Sequence, residues 1–200
     1  VYAEEDKFNF YSVIAIHNTK RGPALGGCRY FNYKDFNKQE EDVLKLAEAM
    51  TYKNSLAELP FGGGKATIHS KINKKDAYSL FGEVLNKLNG NYITAGDMGT
   101  VDEDLRGFRE YSDHVCNPIG SDSGLGTALG VYYSMLGCVE FKFGQDSLVN
   151  KNIFIKGYGK TGSRIASLCK KDGANIEISD LEHKKAVSYT HLRAHETPTN

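Results

Sequence analysis

The stretch "NIFIKGYGKTGSRIASLCKKDGANIEISD", residues 152–180, decides the fold class. It opens on a short apolar, β-branched run. Three glycines follow, Gly157, Gly159 and Gly162, at G-x-G-x-x-G spacing. A helical pattern comes next, with Ile165, Ala166 and Leu168 facing inward, and "NIEIS" reads as a second strand running into Asp180. Strand, glycine turn, helix and strand in that order predict a β-α-β unit. In such a unit the first glycine permits the tight turn. The second lets a pyrophosphate approach the backbone, and the third lets helix and strand pack closely. The helix N-terminus offers unpaired N–H groups and a positive dipole end to phosphates. Asp180 stands where an acidic side chain accepts hydrogen bonds from ribose hydroxyls. The candidate cofactor-binding residues are therefore Gly157, Gly159, Lys160, Thr161, Gly162 and Asp180. A carboxylate there repels a 2′-phosphate, which favours NAD over NADP, with Lys184 and Lys185 nearby as the opposing feature. A plain β-turn-α junction would need the glycines only for its turn. The flanking elements, the spacing and the acid together favour the dinucleotide reading.

Upstream, strands and helices alternate. "FNFYSVIAIHN" (8–18) reads as a strand, and "GPALGGCRYF" (22–31) as a turn and a second strand. Val43, Leu44, Ala47 and Met50 share one face of a helix over about 38–56. "KATIHS" reads as a short strand after a glycine loop, and Asp76 to Leu88 as a helix. "NYITAGD", "VDEDLRGFREYS" and "HVCN" read as strand, helix and strand, and "GLGTALGVYYSMLGCVEFKFG" as a long helix. The class is α/β: an N-terminal α/β domain over 1–126, a linking helix over 127–148, and the first β-α-β unit of a truncated Rossmann domain over 149–186.

The last segment, 187–200, departs from this pattern. From Val187 to Thr197 each residue is the one encoded by a transposase-type sequencing adapter, so the segment is expected to be non-native and His191 and His195 carry no function. On that reading the cofactor domain is cut short and the chain alone is expected to be inactive. The first residue is not Met, so the beginning is expected to lie further upstream.

Lys+Arg and Asp+Glu balance at 25 each, which points away from nucleic acid and membrane surfaces. Cys28, Cys116, Cys138 and Cys169 are scattered without a C-x-x-C pair. That argues against a zinc site and against a disulfide framework, so no metal is expected, and it fits a reducing cytoplasm.

"LPFGGGKATI" (59–68) raises the question of a phosphate loop. It lacks G-x-x-x-x-G-K-[ST] spacing, Ala66 stands where a hydroxyl would hold magnesium, and a strand follows instead of a helix. The glycines then provide close backbone approach and room for a substrate beside Lys65. Taken alone, Lys53 reads as a snorkelling surface lysine and Asp97 as the cap of the helix after it.

Taken in order, "GPALGGCRY", "LAEAMTYKNSLAELPFGGGKATI", "NGNYITAGDMGT" and "GYGKTG" resemble the glutamate, leucine, phenylalanine and valine dehydrogenases, over about residue 10 to Asp180 and nearest the leucine branch. This resemblance implies NAD-dependent oxidative deamination of an L-amino acid to a 2-oxo acid and ammonia. It also implies a homo-oligomer, and cleft closure that expels water before hydride transfer. It makes Lys53 the ligand of the substrate α-carboxylate and Lys65 the catalytic lysine that activates water. Asp97 would exchange protons with the amino group. Gly26 and Gly27 would let backbone approach the substrate, and Leu25, Met50, Ala95 and Thr127 would line its pocket.

Glutamate-specific members carry lysine just before the glycine pair. Leu25 removes that cation and would leave a buried glutamate carboxylate unpaired, so an apolar, branched-chain substrate is expected. Cys28 in place of Thr, Gly96 in place of Glu and the "GLGTALG" segment depart from the branch pattern. They blur branched-chain against aromatic preference but not the reaction class. Phenylalanine or glutamate dehydrogenase, or an inactive NAD-binding regulatory homologue, stand as the alternative readings.

Overall fold

The computed structural model describes residues 1–69, 71–116 and 123–180. The chain forms two compact units, Val1–Pro118 and Ile119–Asn200. The expectations for Lys184, Lys185 and the segment from Val187 lie outside the described residues.

The first unit contains β1 (Tyr2–Glu5), β2 (Phe10–Asn18), β3 (Ala24–Phe31), α1 (Phe36–Leu56), β4 (Gly62–His69), α2 (Lys74–Lys87), β5 (Tyr92–Gly96) and α3 (Asp102–Arg109). The strands form one sheet in the order β1-β2-β4-β3-β5. β3 runs parallel to both β4 and β5, whereas β2 is antiparallel to β1 and β4. β2 is buried on both faces. Val13 and Ala15 pack with Val43 and Ala47 of α1. Phe10 and Ile14 join Phe81 and Leu85 of α2 and Leu105 and Phe108 of α3 in the larger core. Each large apolar side chain buried there contributes about 1.5–3 kcal/mol.

Caps set the helix starts. Asp35 accepts from the Lys38 N–H and Asn73 from the Lys75 N–H, both at 2.9 Å. These caps begin α1 and α2 two residues before the apolar periodicity does. α3 opens on an acidic turn, where Asp104 accepts from the Val101 N–H at 2.8 Å and complements the helix dipole.

Three features differ from the sequence reading. β1 was not anticipated, because its exposed residues carry no apolar alternation. Gly62, Gly63 and Gly64 lie inside β4 rather than in a loop before it. "HVCN" contributes a single bridge, Val115 to Thr94, in place of a strand.

The second unit contains α4 (Ser123–Phe143), β6 (Asn152–Lys156), α5 (Lys160–Lys171) and β7 (Asn175–Ser179). β6 and β7 pair in parallel, Ile153 opposite Ile176. Leu148, Ile155, Ala166, Cys169 and Ile176 form its core, against which Tyr132, Met135, Leu136 and Val139 of α4 pack. Asp172 fastens the unit, accepting from Ser147 Oγ at 2.9 Å, the Leu148 N–H at 2.8 Å and Tyr132 at 3.1 Å. The helix expected over 127–148 thus starts earlier, at Ser123, and belongs to this packed unit. Among the described residues no helix is long and apolar enough to cross a membrane.

Candidate active site

Lys65 lies in β4 opposite Ala15 of β2. Asp97 stands just past the end of β5, and Arg29 near the end of β3. The order of the sheet brings the three together. Lys65 Nζ is 2.9 Å from Asp97 Oδ2, and Arg29 Nε donates to the same oxygen at 2.9 Å. Arg29 Nη1 donates to Asp42 Oδ2 of α1 at 2.8 Å, and the Tyr33 hydroxyl donates to that oxygen at 2.6 Å. Lys65 is buried, at 5% exposure, while the Asp97 side chain keeps 24% of its surface open. A lysine this deep in an apolar fold needs a paired anion, and Asp97 supplies it.

Burial works to raise the Asp97 pKa. The charges and hydrogen bonds of Lys65 and Arg29 outweigh it, leaving the carboxyl below the ordinary carboxylate value. Burial pushes the neighbouring Cys28 thiol far up, so it stays protonated and adds no charge.

The turn that carries Asp97 is tightly tied. Thr100 Oγ1 accepts from the Asp97 N–H at 2.8 Å and donates to the Cys28 carbonyl at 2.9 Å. Asp97 therefore caps no helix: α3 begins at Asp102 with its own acidic first turn.

The protein's own packing requires the glycines. A Cβ on Gly63 would stand 2.1 Å from Thr51 Oγ1, and one on Gly64 2.8 Å from the Tyr92 ring. On Gly26 it would meet the Gly64 carbonyl oxygen at 1.7 Å, and on Gly27 the Asp97 Cβ at 2.8 Å. The protein's own atoms fill the space that the absent side chains leave. The glycines seat α1 and Tyr92 directly on the sheet, and the Tyr92 hydroxyl then donates to the Gly26 carbonyl at 2.7 Å.

Leu25 and Ala95 are half-buried on β3 and β5, with Ala95 opposite Gly27 and Leu25 opposite Gly63. Met50 is half-buried on α1, its Cγ 3.3 Å from where a Gly26 Cβ would stand. Lys53 is exposed in the last turn of α1. Thr127 is an exposed residue of α4 in the second unit.

Sequence reasoning missed Arg29, Asp42 and Tyr33, and also Asn54. Buried Asn54 donates through Nδ2 to the Gly62 carbonyl at 2.6 Å and the Leu25 carbonyl at 3.2 Å. This locks the end of α1 to the strands that carry Leu25 and Lys65. A polar residue on the inward face beside Met50 was the available signal.

In the second unit the glycine turn fits a pyrophosphate. Gly157 has φ +99°, open only to glycine at low cost, and a Cβ on Gly162 would lie 2.0 Å from the Gly157 carbonyl oxygen. Gly159, the N-cap of α5, has open space where its Cβ would be. Lys160 and Thr161 form the first turn of α5. Asp180 accepts from the Tyr158 N–H at 2.6 Å, so its carboxylate also orders the turn.

A cleft of about 330 Å³ beside α1, lined by Val13, His17, Val43 and Ala47, contains none of these candidate residues. No group of three or more His, Cys, Asp or Glu side chains among the described residues could hold a metal ion.

Residues 3–113 match the family described as Glu/Leu/Phe/Val dehydrogenase, dimerisation domain. The chain belongs to that family. It is 37% identical over 190 residues to phenylalanine dehydrogenase of Lysinibacillus sphaericus, covering 90% of this chain and 50% of that protein. It is also 37% identical over 195 residues to leucine dehydrogenase of Bacillus subtilis (strain 168), covering 94% and 53%. The chain thus spans about half the length of the curated relatives it matches. Among solved structures, L-tryptophan dehydrogenase from Nostoc punctiforme aligns with a TM-score of 0.69 at 27% identity, over 96% of this chain and 56% of that one. The hetero-hexameric glutamate dehydrogenase from Thermus thermophilus (Leu-bound form) shares the fold, with a TM-score of 0.72 at 18% identity, over 96% and 52%.

Proposed function

We propose that this chain carries the substrate-binding half of an NAD-dependent amino-acid dehydrogenase that oxidatively deaminates an apolar L-amino acid of the leucine or branched-chain type. The observation behind this reading is the buried Lys65–Asp97 pair at 2.9 Å. It couples a proton-exchanging amine to a carboxylate kept ionised by its neighbours. Lys53 binds the substrate α-carboxylate. Asp97 takes a proton from the substrate amino group. NAD, when bound, supplies the hydride acceptor. Lys65 takes a proton from the water that adds to the imine carbon, and ammonia leaves to give the 2-oxo acid. Leu25, Met50 and Ala95 face the substrate side chain, with Gly26 and Gly27 presenting backbone. Gly157, Gly159, Lys160, Thr161, Gly162 and Asp180 hold the dinucleotide, and the Asp180 carboxylate supports NAD over NADP.

Leu25 supports an apolar substrate over glutamate, because no cation replaces the missing lysine at that position. Phenylalanine remains the second reading, since leucine and phenylalanine dehydrogenases are equally similar to this chain. The domain description of the matched family supports a homo-oligomer.

The test is NADH formation from Leu, Val, Phe and Glu by the protein carrying a complete cofactor domain. Turnover with Leu and Val above Phe and Glu is expected. A preference for Phe selects the second reading, a preference for Glu overturns the role of Leu25, and no turnover with any of them leaves the regulatory homologue.

A further inference from the structure

Lys65 Nζ and Arg29 Nε both lie 2.9 Å from one oxygen of Asp97, Oδ2. Oδ1 has no hydrogen-bond partner among the described residues, on a side chain that keeps 24% of its surface open. The Arg29 guanidinium cannot swing away, because Asp42 Oδ2 holds its Nη1 at 2.8 Å. The Tyr33 hydroxyl donates to the same Asp42 oxygen, and burial pushes that hydroxyl's pKa up, so it stays a donor. Tyr33, Asp42, Arg29 and Asp97 form a chain running from the helix layer to the reacting carboxylate.

We propose that Arg29 is a positioning residue: it fixes Asp97 through Oδ2, turns Oδ1 toward the substrate amino group, and keeps the carboxylate paired with a permanent cation while Lys65 is neutral. This rests on the reading of Lys65 and Asp97 given above. Lys65 must pass through a neutral state before it can take the proton of the attacking water. At that moment Asp97 loses one of its two cations while its burial remains. Without Arg29, burial would drive the carboxyl upward, and it would hold the proton that the cycle needs elsewhere. A guanidinium does not deprotonate in proteins, so its support does not vary through the cycle. The ionisable groups around Asp97 are Lys65 of β4, Arg29 and Cys28 of β3 and Tyr92 of β5, with Asp42 of α1 behind Arg29. Cys28 and Tyr92 are buried and protonated, so Lys65 and Arg29 are the two groups that set the Asp97 charge.

The test is ¹³C NMR titration of the Asp97 carboxyl in the 200-residue chain. Lys65→Met gives the reference midpoint, with Arg29 as the one cation left at the carboxyl. In Lys65→Met/Arg29→Gln it is expected to rise by about 1–3 pH units, and in Lys65→Met/Arg29→Lys to rise less, because the charge is retained. Equal midpoints in the single and double variants overturn the proposal. Should Arg29→Gln fail to fold, the Arg29 Nε–H resonance of the unmodified chain decides: it must shift with the same midpoint as the Asp97 carboxyl, and an invariant resonance overturns the proposal. The two readings fail separately. A substrate panel without turnover removes the dehydrogenase reading and leaves these midpoints unchanged, whereas equal midpoints remove Arg29 and leave turnover unchanged.

Discussion

Gly63 of β4 lies directly beneath Thr51 of α1: a Cβ on Gly63 would stand 2.1 Å from Thr51 Oγ1 and 2.2 Å from the Thr51 backbone nitrogen. The helix rests on bare strand backbone, two positions before Lys65 in the same strand. Gly63→Ala must push α1 off the sheet, and overpacking of this kind costs about 1–3 kcal/mol. The loss is expected at the upper end, because the obstacle is main chain rather than a flexible side-chain tip. Urea unfolding of the two chains reads it. Equal midpoints would show that α1 does not sit on this glycine.

Gly159→Ala separates packing from ligand approach. Nothing lies within 4 Å of the added Cβ, so stability is expected to change by less than about 0.5 kcal/mol. NAD binding by the protein carrying a complete cofactor domain, measured by calorimetry, is expected to weaken. Gly162→Ala should instead lower stability, because its Cβ would meet the Gly157 carbonyl oxygen at 2.0 Å. If Gly159→Ala binds NAD as well as the parent chain, the turn is only a turn.

Asp104 sets an acid limit on the first unit. Burial raises its pKa, but the Lys74 ammonium at 2.7 Å, the Val101 N–H and the Tyr78 hydroxyl outweigh burial and hold it below the ordinary value. Asp97 is shifted in the same direction. A folded value below the unfolded one means stabilisation that is fully present above about pH 3.9 and is lost as pH falls through the lower folded value. Asp104→Asn is expected to cost about 1.5–3 kcal/mol at pH 7 and to flatten this acid dependence. Thermal unfolding between pH 2 and 7 measures both, and an unchanged acid limb would remove Asp104 from the account.

Asn54→Ala leaves the Gly62 and Leu25 carbonyls without their side-chain donor, at a cost of about 1–3 kcal/mol. Asn54→Asp should cost more, since its carboxylate would face two carbonyl oxygens. Denaturant midpoints that rank the two variants in the opposite order would contradict the hydrogen-bond assignment.

For catalysis, Lys65→Ala in the protein with a complete cofactor domain is expected to abolish deamination, and Leu25→Lys to shift preference toward glutamate. Unchanged turnover in the first variant would remove Lys65 from the mechanism.

Local patterns made much of the fold legible. The spacing of Ala77, Phe81, Val84 and Leu85 predicted α2, and the order of glycines and strands around Gly157 predicted β6, α5 and β7. Those signals are local, because a helix repeats every 3.6 residues and a strand every two. β1 escaped because it pairs along one edge with few buried side chains. The glycines of β4 were misplaced because glycine marks loops by propensity, whereas here Thr51, Tyr92 and Asn18 demand it within a strand.

The sequence by itself determined the chemical types and the order of the elements: the lysines, the aspartate, the glycine-rich turn between strand and helix and the absence of a cation at Leu25. Tertiary structure decided which of them meet. β4 inserts between β2 and β3, so residues as distant in the chain as Arg29, Lys65 and Asp97 converge on one oxygen. Strand order arises from which buried faces fit together, and such non-local packing leaves no periodic trace along the chain. That is why Lys65 and Asp97 could be named from the family resemblance, while Arg29, which donates to the same Asp97 oxygen that Lys65 faces, emerged only from the folded sheet.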